Sequence, residues 1–231
     1  MGFGPLQEQR ACKCGNMKKA EVAVIDYGAG NLLSVQRGLE HCGARVILTK
    51  SPDRILAAER VVLPGVGAFG NAMQALEQFG LIEVIRELGR RQTPLLGICL
   101  GMQLLLDESD EFGVTAGLGM IAGRVIPVPI RTLSGEPQKI PHIGWSSLHP
   151  SETHGDWRRT LLQDNKNGDA AYFVHSFMAD LADPMDRIAD CAYGGHKIPA
   201  VIGRNKVVGC QFHPEKSGEV GLKILRRFIG K

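Results

Sequence analysis

Between residues 21 and 98, short apolar runs alternate with segments whose apolar positions recur at helical spacing. Residues 21–26, 45–48, 61–63 and 95–98 read as strands, each brief and rich in Val, Ile or Leu. Residues 31–41 read as an amphipathic helix ending at Gly43, and residues 71–90 as helical material broken at Gly80. Alternation at this interval predicts an α/β protein, a three-layer arrangement in which an open, mostly parallel sheet carries helices on both faces.

After Gly123 the pattern changes. Residues 124–130, 170–174, 188–193, 200–204 and 207–212 are β-like runs punctuated by Pro and Gly. They are expected as antiparallel additions on one side of the core, and residues 219–229 as a closing helix. No repeat, low-complexity tract or linker interrupts the chain, so residues 20–231 are expected to form one domain preceded by a polar extension at 1–19.

At 231 residues the chain is long enough for one substantial core. Its 44% hydrophobic and 22% charged residues are ordinary for a globular protein. A net charge of +3 with no long Lys/Arg run gives no nucleic-acid footprint, and no apolar stretch reaches membrane-spanning length. The N-terminus lacks the apolar region of a signal peptide, so a cytoplasmic protein is expected. Met17-Lys18-Lys19 reads as a natural start, with the preceding residues a disposable extension. Cys12 and Cys14 resemble half a metal site, but no second pair has zinc-ligand spacing, so they read as reduced thiols. Cys42 reads as structural, and Cys191 and Cys210 as small buried hydrophobes.

Gly97-Ile98-Cys99-Leu100-Gly101 stands apart from these. A cysteine between glycines at the end of an apolar run is what a strand-to-helix nucleophile elbow requires, because glycine tolerates the tight turn that lifts the sulfur from the backbone. Backbone N–H groups at a helix N-terminus favour the reactive thiolate. Far downstream, His213-Pro214-Glu215 places a base and a carboxylate two positions apart, on one face of an extended segment. Cys99 as nucleophile, His213 as base and Glu215 as its orienter make a triad for acyl transfer through a thioester. The oxyanion then needs backbone donors, for which Leu100 and the Pro64-Gly65-Val66-Gly67 turn are candidates. Gln103, one helical turn past Cys99, reads either as a ligand for a substrate amide or carboxylate or as a surface residue. Tyr27-Gly28-Ala29-Gly30-Asn31, the Pro64–Gly67 turn and the elbow all fall at carboxyl ends of the parallel strands, where such sheets bind ligands.

The same segments resemble the class I (triad-type) glutamine amidotransferases, and within them the glutaminase subunits of imidazole glycerol phosphate synthases. The resemblance rests on Ile25-Asp26-Tyr27-Gly28-Ala29-Gly30-Asn31-Leu32, Pro64-Gly65-Val66-Gly67-Ala68-Phe69 and Leu96-Gly97-Ile98-Cys99-Leu100-Gly101-Met102-Gln103. It continues through Pro141-His142-Ile143-Gly144-Trp145, Tyr172-Phe173-Val174-His175-Ser176 and Gln211-Phe212-His213-Pro214-Glu215-Lys216-Ser217-Gly218. It implies that Cys99 attacks the side-chain amide of glutamine, that His213 protonates the departing ammonia and then activates water, and that Glu215 holds the imidazole. Gly65, Gly67 and Gln103 would help bind glutamine, and the Ser176-Phe177 backbone its amino-acid end. No metal or organic cofactor is implied. The implied partner is a (β/α)8-barrel cyclase that takes up the ammonia for histidine biosynthesis, with Asn31, Trp145 and Lys216 facing it. Taken singly, these three also read as a helix cap, a core or rim tryptophan and a solvated lysine. Ser146 stands where the family usually has asparagine, and Phe177 where tyrosine is common. A paralogous subunit serving another barrel, a stand-alone hydrolase of γ-glutamyl compounds and a binding-only subunit stay open as alternatives, the last opposed by the intact triad.

Overall fold

The computed structural model of the chain describes residues 19–231; the extension read before Lys19, with Cys12 and Cys14, lies outside the described residues. The first half runs β1 (Glu21–Ile25), α1 (Leu32–His41), β2 (Arg45–Thr49), α2 (Pro52–Ala57), β3 (Arg60–Gly65), α3 (Phe69–Gln78), α4 (Ile82–Arg90), β4 (Leu95–Cys99) and a single turn, α5 (Leu100–Gln103). The second half adds β5 (Glu108–Ser109), β6 (Thr115–Ala116), β7 (Gly123–Pro127), β8 (His142–Pro150), β9 (Ala170–His175) and β10 (Phe177–Leu181). It ends with β11 (Arg187–Tyr193), β12 (His196–Arg204), β13 (Val207–Cys210) and α6 (Gly218–Phe228).

Among the described residues, one nine-stranded sheet has the order β2-β1-β3-β4-β13-β12-β11-β8-β9. β2, β1, β3, β4 and β13 run parallel, and the remaining strands extend the sheet antiparallel on one side. Side-chain alternation along the central strands explains the layering. Val22, Val24, Val62, Leu96 and Ile98 pack with Val35 and Leu39 of α1 and Ile224 and Leu225 of α6. Their neighbours Ala23, Ile25, Val61, Leu63 and Leu95 pack on the opposite face with α2, α3 and α4, through Ile55, Leu76, Ile85 and Leu88. Strands covered on both faces are apolar throughout, which is why these short runs were legible as parallel strands.

The break expected at Gly80 is a helix stop. Gly80 takes φ +65°, its N–H reaches Glu77 O at 2.9 Å, and Leu81 N–H reaches Leu76 O at 2.8 Å. That paired bonding satisfies the last carbonyls of α3 and lets α4 begin after it. α2 was not foreseen; Ser51-Pro52-Asp53 is a start signal, but the helix is too short to show a period.

Three expectations change. The run 207–212 is a strand only to Cys210, and it pairs parallel with β4 while antiparallel to β12, so it is the last parallel strand and not an antiparallel addition. The run 124–130 becomes β7, in a separate four-stranded sheet of order β10-β7-β5-β6. Four strands, the two-residue β5 and β6 and the longer β8 and β10, were not read at all. β9 and β10 are separated only by Ser176, where the chain steps from the large sheet to the small one. No helix of the described residues is long and apolar enough to cross a membrane.

Candidate active site

The carboxyl ends of β1, β3, β4 and β13 share one edge of the sheet, because these strands are parallel. Cys99 closes β4 with φ 54° and ψ −113°, a left-handed conformation that a non-glycine residue rarely holds. Glycines on both sides make it possible. A Cβ on Gly101 would stand 1.8 Å from Leu63 O, so only glycine lets the turn lie this close on β3. The helix expected to head the elbow is the single turn of α5, whose small dipole contributes little to forming a thiolate. That task falls to the histidine.

His213 follows β13 after the buried Gln211 and Phe212. Its backbone is fixed at both ends: His213 N–H donates to Tyr172 O at 3.0 Å, and Ser217 Oγ donates to His213 O at 2.7 Å. Residues Pro214–Lys216 form a 3₁₀ turn, so the segment is not extended as expected. The turn still brings the pair together, with His213 Nδ1 donating to Glu215 Oε1 at 2.8 Å. A carboxylate accepts, so the proton sits on Nδ1 and leaves Nε2 for the Cys99 side. Both side chains are almost wholly enclosed. Burial acts against the imidazolium, but interactions with Cys99 and Glu215 outweigh it and raise the His213 pKa to about 9.

A cleft of about 340 Å³ opens over these groups. Its walls include Gly67, Cys99, Leu100, Gln103, Ser176, Phe177, His213 and Lys216. Gly65 lies beneath it, in register with Cys99, and Glu215 lies behind His213. Gln103 is buried, against the surface alternative, and its amide N–H groups are already engaged with Phe177 O at 3.1 Å and Gln211 Oε1 at 3.0 Å. Trp145 is 59% exposed, edge-on to Tyr172. Asn31 and Lys216 are exposed too, and Asn31 makes no side-chain cap on α1.

Several cleft residues escaped the sequence reading as site residues. Glu111 sits in the loop between β5 and β6, and its carboxylate accepts from Phe69 N–H at 2.5 Å; no pattern marked that loop. Gln211, whose amide Nε2 lies 3.9 Å from Cys99 Sγ, is set by the β13–β4 register and could have been found from its place beside Phe212-His213. A larger cleft of about 440 Å³ lies at the other end of β4 and β13, lined by Arg86, Arg90 and Arg204. Those arginines are already paired with Glu83, Glu87, Asp183 and Asp186.

A family model described as glutamine amidotransferase class-I matches residues 23–231. The chain is 49% identical over 210 residues to imidazole glycerol phosphate synthase subunit HisH 1 of Legionella pneumophila (strain Lens), covering 91% of this chain and 99% of that protein. It is 44% identical over 210 residues to the subunit HisH of Geobacillus sp. (strain WCH70), covering 90% and 95%. Among solved structures, a glutamine amidotransferase from Thermotoga maritima superposes with a TM-score of 0.61 at 15% identity, covering 92% of this chain and 99% of that one.

Proposed function

The chain belongs to the class-I glutamine amidotransferases, and from that premise we propose that it is the glutaminase subunit of an imidazole glycerol phosphate synthase. The observation that carries the reading is the enclosed pair His213–Glu215 facing a strained elbow cysteine at the floor of a cleft of about 340 Å³. That volume suits one amino acid.

In this reading the Cys99 sulfur, as thiolate, attacks the side-chain carbonyl carbon of glutamine. The oxyanion forms beside the Leu100 and Val66-Gly67 backbone. His213 then passes its Nε2 proton to the amide nitrogen, the C–N bond breaks, and ammonia leaves. Water, deprotonated by His213, cleaves the thioester to glutamate and returns the sulfur. Glu215 fixes the ring through Nδ1 and stabilises the imidazolium throughout. The Ser176-Phe177 backbone and Glu111 line the wall available to the amino-acid end of the substrate. No step calls on a metal or organic cofactor.

Ammonia would pass to a (β/α)8-barrel cyclase docked over the exposed Asn31, Trp145 and Lys216. A cytoplasmic location suits a nucleophile that works as a free thiol: Cys99 is unpaired, as are Cys42, Cys191 and Cys210. The test is glutamate release by the purified chain, with and without a cognate barrel cyclase and its nucleotide ligand. Stimulation by both together supports the reading. Cys99-dependent release indifferent to that partner would move the acceptor elsewhere.

A further inference from the structure

Two buried histidines lie beside the site without a role in the chemistry above: His142 at the start of β8 and His175 at the end of β9. They are direct cross-strand partners in the β8–β9 pairing. His175 Nδ1 is 2.8 Å from Phe177 O, His142 Nδ1 is 2.9 Å from His175 Nε2, and His142 Nε2 is 2.9 Å from Ser146 Oγ.

The carbonyl at one end fixes every proton. Phe177 O can only accept, so His175 carries its hydrogen on Nδ1. A neutral His175 then presents a lone pair on Nε2, which requires His142 to donate from Nδ1. His142 in turn accepts at Nε2 from the Ser146 hydroxyl. A proton added to Nε2 of His175 would face the His142 Nδ1–H, donor against donor. Their surroundings agree with neutral rings: His142 stacks between Phe173 and Tyr193, burial takes both pKa values down to about 4, and the nearby His213 adds to the effect on His175. The far end of the series reaches the site, since Gln103 also donates to Phe177 O and to Gln211, which lies against Cys99.

We propose that Ser146, His142 and His175 are positioning residues, a one-way hydrogen-bond relay that fixes the Phe177 carbonyl and ties the grip on glutamine to the strand carrying the exposed Trp145. This rests on the glutaminase reading. It also accounts for both departures from the family pattern. Ser146 supplies a donor, as an asparagine amide would, and Phe177 takes part through its carbonyl, so its missing hydroxyl costs nothing here.

Ser146→Thr keeps the hydroxyl and Ser146→Val replaces it at equal size. With the barrel partner and its ligand saturating, Ser146→Val raises KM for glutamine about five- to tenfold, with kcat within about twofold of wild type. Ser146→Thr stays within about twofold in both, and the two variants share one urea midpoint. Equal KM values for the two variants overturn the proposal. Independently of activity, ¹⁵N-detected NMR of the wild-type chain at pH 7 shows His142 and His175 neutral with the proton on Nδ1. A proton on Nε2 of either ring overturns the relay even if the chain is a glutaminase. Conversely, wild-type chain with the Nδ1 protons in place but no Cys99-dependent glutamate release when the partner and its ligand are saturating removes the glutaminase reading, and with it the relay's part in substrate binding.

Discussion

His213 carries the pH dependence of the site. Its pKa of about 9 lies above the ordinary value of 6.5, so the proton is held more tightly in the folded chain than in the unfolded one. The associated stability is fully present below about 6.5 and is lost as pH rises through about 9. The same proton is the one ammonia needs on leaving, so glutamate release falls along that alkaline limb. Glu215→Gln removes one of the two partners that raise the value. It shifts the limb to lower pH and reduces kcat by about 10²- to 10⁴-fold, read from a pH series of initial rates. The grouping of Cys99, His213 and Glu215 at one site was legible because residue type and spacing in the two motifs point to it. Glu111 was not, because it reaches the cleft through a loop that leaves no local pattern.

The elbow holds its shape because glycine occupies the positions where backbone meets backbone. A Cβ on Gly101 collides with Leu63 O at 1.8 Å, and one on Gly97 with Gly101 O at 2.6 Å. Neither obstacle is a flexible side-chain end. Gly101→Ala therefore forces α5 away from β3, lowering stability by about 3 kcal/mol or more in urea unfolding and disturbing the turn on which Cys99 sits. An unchanged unfolding midpoint would show that the elbow packs more loosely than this. The parallel strands and the helices α1, α3 and α4 follow from apolar periodicity and glycine stops. β8 escaped notice because its residues 143–147 are largely solvent-facing and interrupted by Gly144, so the apolar signal of a buried strand is missing. β13 was misplaced because a strand at the junction of parallel and antiparallel pairing reads the same in sequence either way.

Across the whole molecule, one edge of the sheet carries the cleft, and Trp145 and Leu33 leave large apolar surfaces exposed. Trp145 is 59% exposed and Leu33 61%. Trp145→Ala lowers stability by only about 1 kcal/mol, because more than half of the side chain is exposed, but weakens association with the barrel cyclase by about 2 kcal/mol. Calorimetric titration against the partner reads the second number and urea unfolding the first; equal affinity for both chains would place the interface elsewhere. The central claim is that glutamine turnover runs through a thioester on Cys99. Its most direct test is intact mass spectrometry of the chain, acid-quenched during glutamine turnover with the partner and its ligand present. The account predicts a glutamyl adduct that maps to Cys99, disappears on hydroxylamine treatment and is absent in Cys99→Ala. Glutamate release with no adduct in the wild type, or release that survives in Cys99→Ala, would contradict it.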